Sequence, residues 1–265
     1  MKVMYWSDYA CPYCYIGETH LKKAIENLNL GDQVDVEMLA FELDPTASKE
    51  YTGATVDRFA KKYGLSLKGA QERIDGISEM GRAAGLDFHY AETRYTNTFD
   101  AHRLTKLAQK KDAHLADRLQ ERLYKAYFSE GLELADHAVL TRIAVEEGMD
   151  KGEVKQLLES DQYADEVRLD EREAQRYGVQ GVPYFVVGNK YAIPGALPVE
   201  SMERVLKNVL DEEAKAAESA VQGMACEQGP EALERYCKDP VGLMDKTTAI
   251  LGSLKNLTTD MEERK

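Results

Sequence analysis

Residues 1–28 read MKVMYWSDYACPYCYIGETHLKKAIENL. The chain has four cysteines in 265 residues, and two of them, Cys11 and Cys14, fall where one sequence pattern gives way to another. Val3-Met4-Tyr5-Trp6 is short, apolar and aromatic, the composition of a buried strand. Past the cysteines, Leu21, Ala24, Ile25 and Leu28 recur at helical spacing. Pro12 suits the first turn of that helix, where its missing N–H costs nothing. A C-x-x-C pair at a strand-to-helix junction thus begins the fold.

Moving outward, Val34, Val36 and Met38 alternate with charged residues and lead into Leu39-Ala40-Phe41, a second strand. The next stretch has almost no strand signal. Helical patterns occupy 59–63, 67–84, 98–111 and the region from Leu115, where Leu119, Leu123, Ala126 and Tyr127 share a face. Another is marked by Leu140, Ile143 and Ala144, with Asp136 as its N-cap. Gly64, Gly85, Gly131 and Gly148 stand near helix ends. Strands return at Tyr184-Phe185-Val186-Val187, and Gly188-Asn189 predicts a two-residue turn into Lys190-Tyr191-Ala192-Ile193. A long helix follows from about Pro198. The order strand–helix–strand, helical insertion, helix, hairpin, helix predicts an α/β thioredoxin fold interrupted by an inserted helical domain. Residues 1–45 and 176–220 form the thioredoxin-like part, 46–175 the insertion, and 221–265 a C-terminal helical extension.

At 43% hydrophobic and 31% charged residues the chain reads as a soluble globular protein. A formal net charge of −13 argues against nucleic acid and anionic membranes as partners. No apolar run suits a signal peptide or a membrane span, so the expected location is cytoplasmic. Thiols there stay mostly reduced, which makes a close pair catalytic or metal-binding rather than structural. The remaining cysteines, Cys226 and Cys237, are separated by ten residues and do not form the usual second half of a zinc site. No metal is expected.

A helix start favours thiolate over thiol at its first residues, through free N–H groups and the helix dipole. Cys11 is therefore expected to be the exposed nucleophile. Cys14, one turn in, is expected to be more buried and to resolve the mixed disulfide. Pro12 stiffens the turn and Tyr13 helps set the redox poise. In Gly178-Val179-Gln180-Gly181-Val182-Pro183, a cis Val182–Pro183 bond would turn the Val182 backbone toward Cys11, leaving an open edge for an extended substrate.

The chain resembles the DsbA family of thiol oxidoreductases, and within it the FrnE-like branch, over roughly residues 1–210. The resemblance is carried by SDYACPYCYIG (7–17), FELDP (41–45), NTFDAHRL (97–104), AYFSEG (126–131) and GVQGVPYFVVGNKYAIPGALP (178–198). It implies a nucleophile at Cys11, a resolving cysteine at Cys14 and a cis-proline at Pro183. It also implies a disulfide-containing protein or a small thiol compound as substrate. No bound cofactor is expected, with glutathione or another thiol as co-substrate. Kappa-class glutathione transferases and 2-hydroxychromene-2-carboxylate isomerases share the superfamily, but use serine near the position of Cys11. A glutathione-dependent transferase or isomerase is therefore one rival reading, and a redox-inactive holdase is another.

Five further residues carry paired readings. Asp8 is either a proton acceptor for Cys14 or the end of the strand. Asn97 or His102 either lines the cleft opposite Cys11 or serves as a cap and a structural histidine. Cys226 and Cys237 are either an accessory redox pair or thiols that hold the tail. Client and oligomeric state are not legible.

Overall fold

The structure, a computed structural model, describes residues 1–31 and 33–228, with side chains as far as Ser219. It divides into two compact units, Met1–Val209 and Leu210 onward. In the first, β1 (Lys2–Ser7) lies between β2 (Asp35–Ala40), to which it runs parallel, and β3 (Tyr184–Val187), to which it runs antiparallel. A fourth strand, β4 (Tyr191–Pro194), pairs antiparallel with β3, giving the order β2-β1-β3-β4. The parallel pair is joined by α1 (Pro12–Asn27), as a parallel connection requires.

Because strand side chains alternate, β1 serves two packed faces. Tyr5 stacks on Phe185 at 5.2 Å between ring centroids, and its hydroxyl donates to Gln120 at 3.2 Å. Gln120 belongs to α5 (Ala113–Phe128). On the opposite face Trp6 is fully buried and donates its indole N–H to the Asp170 carbonyl at 2.8 Å. Asp170 sits on α8 (Ala164–Arg176), whose Ala174 joins Trp6, Leu39 and Val186 in one apolar cluster.

Between β2 and α8 run α2 (Thr55–Tyr63), α3 (Leu67–Ala83), α4 (Phe99–Lys111), α5, α6 (His137–Glu146) and α7 (Lys151–Leu158), with a 3₁₀ turn at Tyr90–Glu92. The expected caps form: the Asp136 carboxylate accepts from the Ala138 N–H, and Gly64 takes the left-handed conformation with φ 64° after α2. One helix, α7, has no counterpart in the sequence reading, while α8 fills the place of the helix expected before the hairpin, for which the sequence pattern gave no bounds. The buried positions of α8 are Val167, Asp170 and Ala174, so an acidic residue interrupts its apolar stripe. This helix packs on the sheet although its residues fall mostly within 46–175.

The hairpin differs in one detail. Gly188 and Asn189 both have positive φ, and the Lys190 N–H donates to the Val187 carbonyl at 3.1 Å. The ladder resumes only with Val187 opposite Tyr191, so Lys190 also belongs to the loop. The last helix, α9 (Val199–Gln228), runs past residue 220 without a break. The rest of the expected C-terminal extension, residues 229–265 with Cys237, lies outside the described residues.

Candidate active site

The turn from β1 into α1 is built by Asp8. Its carbonyl accepts from the Cys11 N–H at 3.0 Å and its Oδ1 from the Ala10 N–H at 3.1 Å. Oδ1 also accepts from the Thr98 hydroxyl at 2.9 Å, and Oδ2 from the Leu43 N–H at 2.7 Å. One buried carboxylate thus ties the turn to the segment after β2 and to the start of α4. The proton-acceptor role for Cys14 is therefore corrected: the carboxylate is engaged elsewhere, and it is the Asp8 backbone that faces the Cys14 sulfur.

Cys11 is the N-cap of α1, with Pro12 in the first turn. It is not the exposed residue that the sequence suggests: only 3% of it is accessible. The α2–α3 region roofs the helix mouth, and its side chains share a cavity of about 530 Å³ with Cys11, Pro12, Tyr13 and Val182. Tyr13, 40% exposed, stands at the rim. The Cys11 side chain makes no capping bond to the helix. Its thiol donates instead to the Val182 carbonyl at 3.4 Å, and the Val182–Pro183 peptide is cis. Pro183 itself lines a separate groove on the outer side of this loop with Tyr184 and Pro194.

Cys14 is wholly enclosed, and both cysteines are free thiols. Burial pushes the Cys14 thiol well above its ordinary value, the Cys11 sulfur beside it adds to that, and Ser7 opposes it. The Ser7 hydroxyl in turn lies 2.5 Å from the Tyr124 hydroxyl of α5. One turn further along α1, Glu18 is 1% exposed. Burial raises its pKa, opposed by Lys22 Nζ at 2.7 Å.

Asn97 and His102 are both buried, and neither reaches the cavity, which corrects the cleft-lining reading. Asn97 donates to Glu42 at 3.1 Å and accepts from the Phe99 N–H at 2.9 Å, a capping role at the start of α4. His102 packs on the Tyr9 ring at 5.0 Å, with Nε2 3.7 Å from Asp8 Oδ1, beyond hydrogen-bond reach. Their inward face is used to anchor α4 behind the turn rather than to meet a substrate. The side chain of Cys226 lies outside the described residues, as Cys237 does. Among the described residues no three histidine, cysteine or acidic side chains gather to hold a metal.

Sequence reasoning misses the roof: Arg58, Tyr63, Arg73, Ile77, Tyr90 and Tyr95 all face the cavity. It also misses Glu18. Cys14, Glu18 and Leu21 share one helical face, so a carboxylate inside the apolar stripe was the available signal. A larger groove of about 600 Å³ between α6 and α7 contains neither cysteine.

Gly17 lets α1 approach the proline loop. A Cβ there would lie 3.0 Å from the Pro183 ring and 3.3 Å from both Ala196 and Phe185. Gly17→Val is expected to lower unfolding stability by about 1–3 kcal/mol through overpacking. Denaturant unfolding checks this, and an unchanged midpoint would refute the contact.

A four-stranded mixed sheet, a C-x-x-C pair at the mouth of α1 and a proline-preceding carbonyl against the first sulfur define a thioredoxin-fold protein. The chain belongs to the DSBA-like thioredoxin domain family, whose profile matches residues 2–207. It is 27% identical over 209 residues to the uncharacterized protein YwbO of Bacillus subtilis, covering 77% of this chain and 94% of that one. Among solved structures it is similar to the probable DsbA oxidoreductase SCO1869 of Streptomyces coelicolor. The identity is 36%, the TM-score 0.76, and the match covers 80% of this chain and 91% of that chain. It shares the fold of a 2-hydroxychromene-2-carboxylate isomerase at 14% identity and TM-score 0.62, covering 82% of this chain and 99% of that chain.

Proposed function

We propose that the protein is a thiol–disulfide oxidoreductase of the DsbA type, FrnE-like branch, acting on a protein or low-molecular-weight disulfide. One observation carries the reading: the Cys11 sulfur faces a cavity at 3.4 Å from the Val182 carbonyl, with the enclosed Cys14 behind it. The Cys11 thiolate attacks one sulfur of the substrate disulfide, forming a mixed disulfide and expelling the other sulfur as a thiolate. Cys14 then gives up its proton and attacks Cys11. The second substrate thiolate leaves, and a Cys11–Cys14 disulfide remains. A dithiol, or two equivalents of glutathione or another thiol, returns the pair to the reduced state. No bound cofactor takes part. The Val182 carbonyl and the proline loop position the substrate strand, and Pro12 and Tyr13 border the attacking sulfur. We place this chemistry in the cytoplasm. No helix among the described residues is long and apolar enough to cross a membrane.

The direct test is the exchange of bis(2-hydroxyethyl) disulfide with dithiothreitol. The protein is expected to accelerate it catalytically; a rate equal to the uncatalysed one would overturn the reading.

The enclosed state of Cys14 sets a pH dependence. A pKa raised by burial keeps this thiol protonated at neutral pH, and burial persists after Cys11 enters the mixed disulfide. Its thiolate fraction therefore grows as pH rises. The second thiol release is expected to quicken about tenfold per pH unit, without levelling off below about pH 9. Stopped-flow detection of the two releases checks this, and a resolution step flat between pH 6 and 9 would contradict it.

A further inference from the structure

The formal net charge of the chain is −13, yet the cavity in front of Cys11 is lined by Arg58, Lys62 and Arg73 and by no carboxylate. We propose that this cavity selects small disulfides bearing carboxylates, which the three cations draw in and hold beside Cys11. The proposal rests on the disulfide exchange put forward above and narrows its substrate class.

The three cations lack the carboxylate partners that basic residues find elsewhere in the molecule. Arg103 is paired with Asp100 at 2.8 Å, Lys106 with Asp170 at 2.5 Å, and Arg168 with Glu42 at 2.6 Å. Among the described residues no carboxylate lies within 4.0 Å of Arg58, Lys62 or Arg73. Aromatic rings hold two of them instead. The Arg58 guanidinium lies 3.9 Å from the Tyr95 ring centroid, beside the Tyr90 hydroxyl, and Lys62 Nζ lies 5.8 Å from the Tyr63 ring. Ring faces orient a cation without neutralising it. The Nε of Arg58 is buried with no hydrogen-bond partner, a donor left for an incoming acceptor.

Size points the same way. Cys11 is 3% exposed beneath its roof, and about 530 Å³ lies within the usual range of small-molecule sites, roughly 300–1,000 Å³. Leu43, Phe59, Ile77 and Met80 supply apolar walls for the carbon chain between a disulfide and its carboxylates.

The test compares kcat/KM for three disulfides of similar size, with dithiothreitol as the reductant. They are 3,3′-dithiodipropionate, which is acidic, bis(2-hydroxyethyl) disulfide, which is neutral, and cystamine, which is basic. The expected order is acidic, neutral, basic. The ends differ by about 10- to 1,000-fold, the range over which field focusing raises encounter rates. The ratio shrinks as salt rises, and it inverts in Arg58→Glu/Lys62→Glu/Arg73→Glu. Should that variant fail to fold, the salt dependence of the wild-type ratio decides the matter. Equal constants for all three, or a ratio indifferent to salt, would overturn the inference and leave the exchange reading intact. Faster turnover of insulin than of the small acid would also overturn it. Loss of exchange even with the neutral compound would instead refute the exchange reading, and this inference with it.

Discussion

Replacing Cys11 with serine is expected to abolish disulfide exchange, a loss on the order of 10³-fold or more in kcat/KM. A serine hydroxyl at this site is a far poorer nucleophile than a sulfur, and the substitution changes almost nothing else. The Cys11 side chain bonds weakly to the Val182 carbonyl at 3.4 Å, lies beside the Cys14 sulfur, and caps no helix N–H. The turn is held by the Asp8 carboxylate and the Asp8 carbonyl, which serine leaves in place. The variant should therefore fold with unchanged circular dichroism, and its lost rate can be assigned to the missing sulfur. Residual exchange above about a tenth of the wild-type rate would place the reacting atom elsewhere.

Cys14→Ser should produce a different defect. With 5,5′-dithiobis(2-nitrobenzoate), the pair releases two equivalents of thiolate, one at attack and one at resolution. In a background where Cys226 and Cys237 are serine, Cys14→Ser should release one equivalent and keep the other as a stable mixed disulfide on Cys11. Multiple turnover should fall by about 10²-fold or more, because the remaining route is attack by external thiol on a sulfur that is 3% exposed. A glutathione-dependent transferase or isomerase would keep its turnover after this substitution, and a holdase would keep its client binding after loss of either cysteine. Release of two equivalents by Cys14→Ser would show that another group resolves the intermediate.

The frame of this site was legible from 28 residues. The short apolar and aromatic run of β1 and the 3.6-residue periodicity of α1 flank Cys11-Pro12, and this junction fixes where the pair lies relative to the sheet. The proline loop was legible as well, because glycines and a proline just before an apolar run have few placements in a thioredoxin sheet. The depth of Cys11 was not. It depends on α2 and α3 lying across the mouth of α1, a packing of elements distant in sequence that no local pattern encodes. Asn97 and His102 show the same limit. A polar residue at a helix start reads equally well as a cap or as a site residue. The choice is made by Glu42 and Asp8, which approach from other segments. The bounds of helix α8 were not legible because Asp170, on its buried face, bonds the Ala40 backbone N–H at 2.7 Å and Lys106 at 2.5 Å, uses that only the assembled fold supplies.

The claim on which the rest stands is that the sulfur of Cys11, although enclosed, is the one a reagent in the cavity meets. Brief treatment of the reduced protein with iodoacetamide, small and uncharged, at pH 7 followed by peptide mass spectrometry tests it. The account predicts carbamidomethylation of Cys11 while Cys14 remains unmodified. Label on Cys14 first, or on neither cysteine of the pair until the protein is denatured, would contradict it.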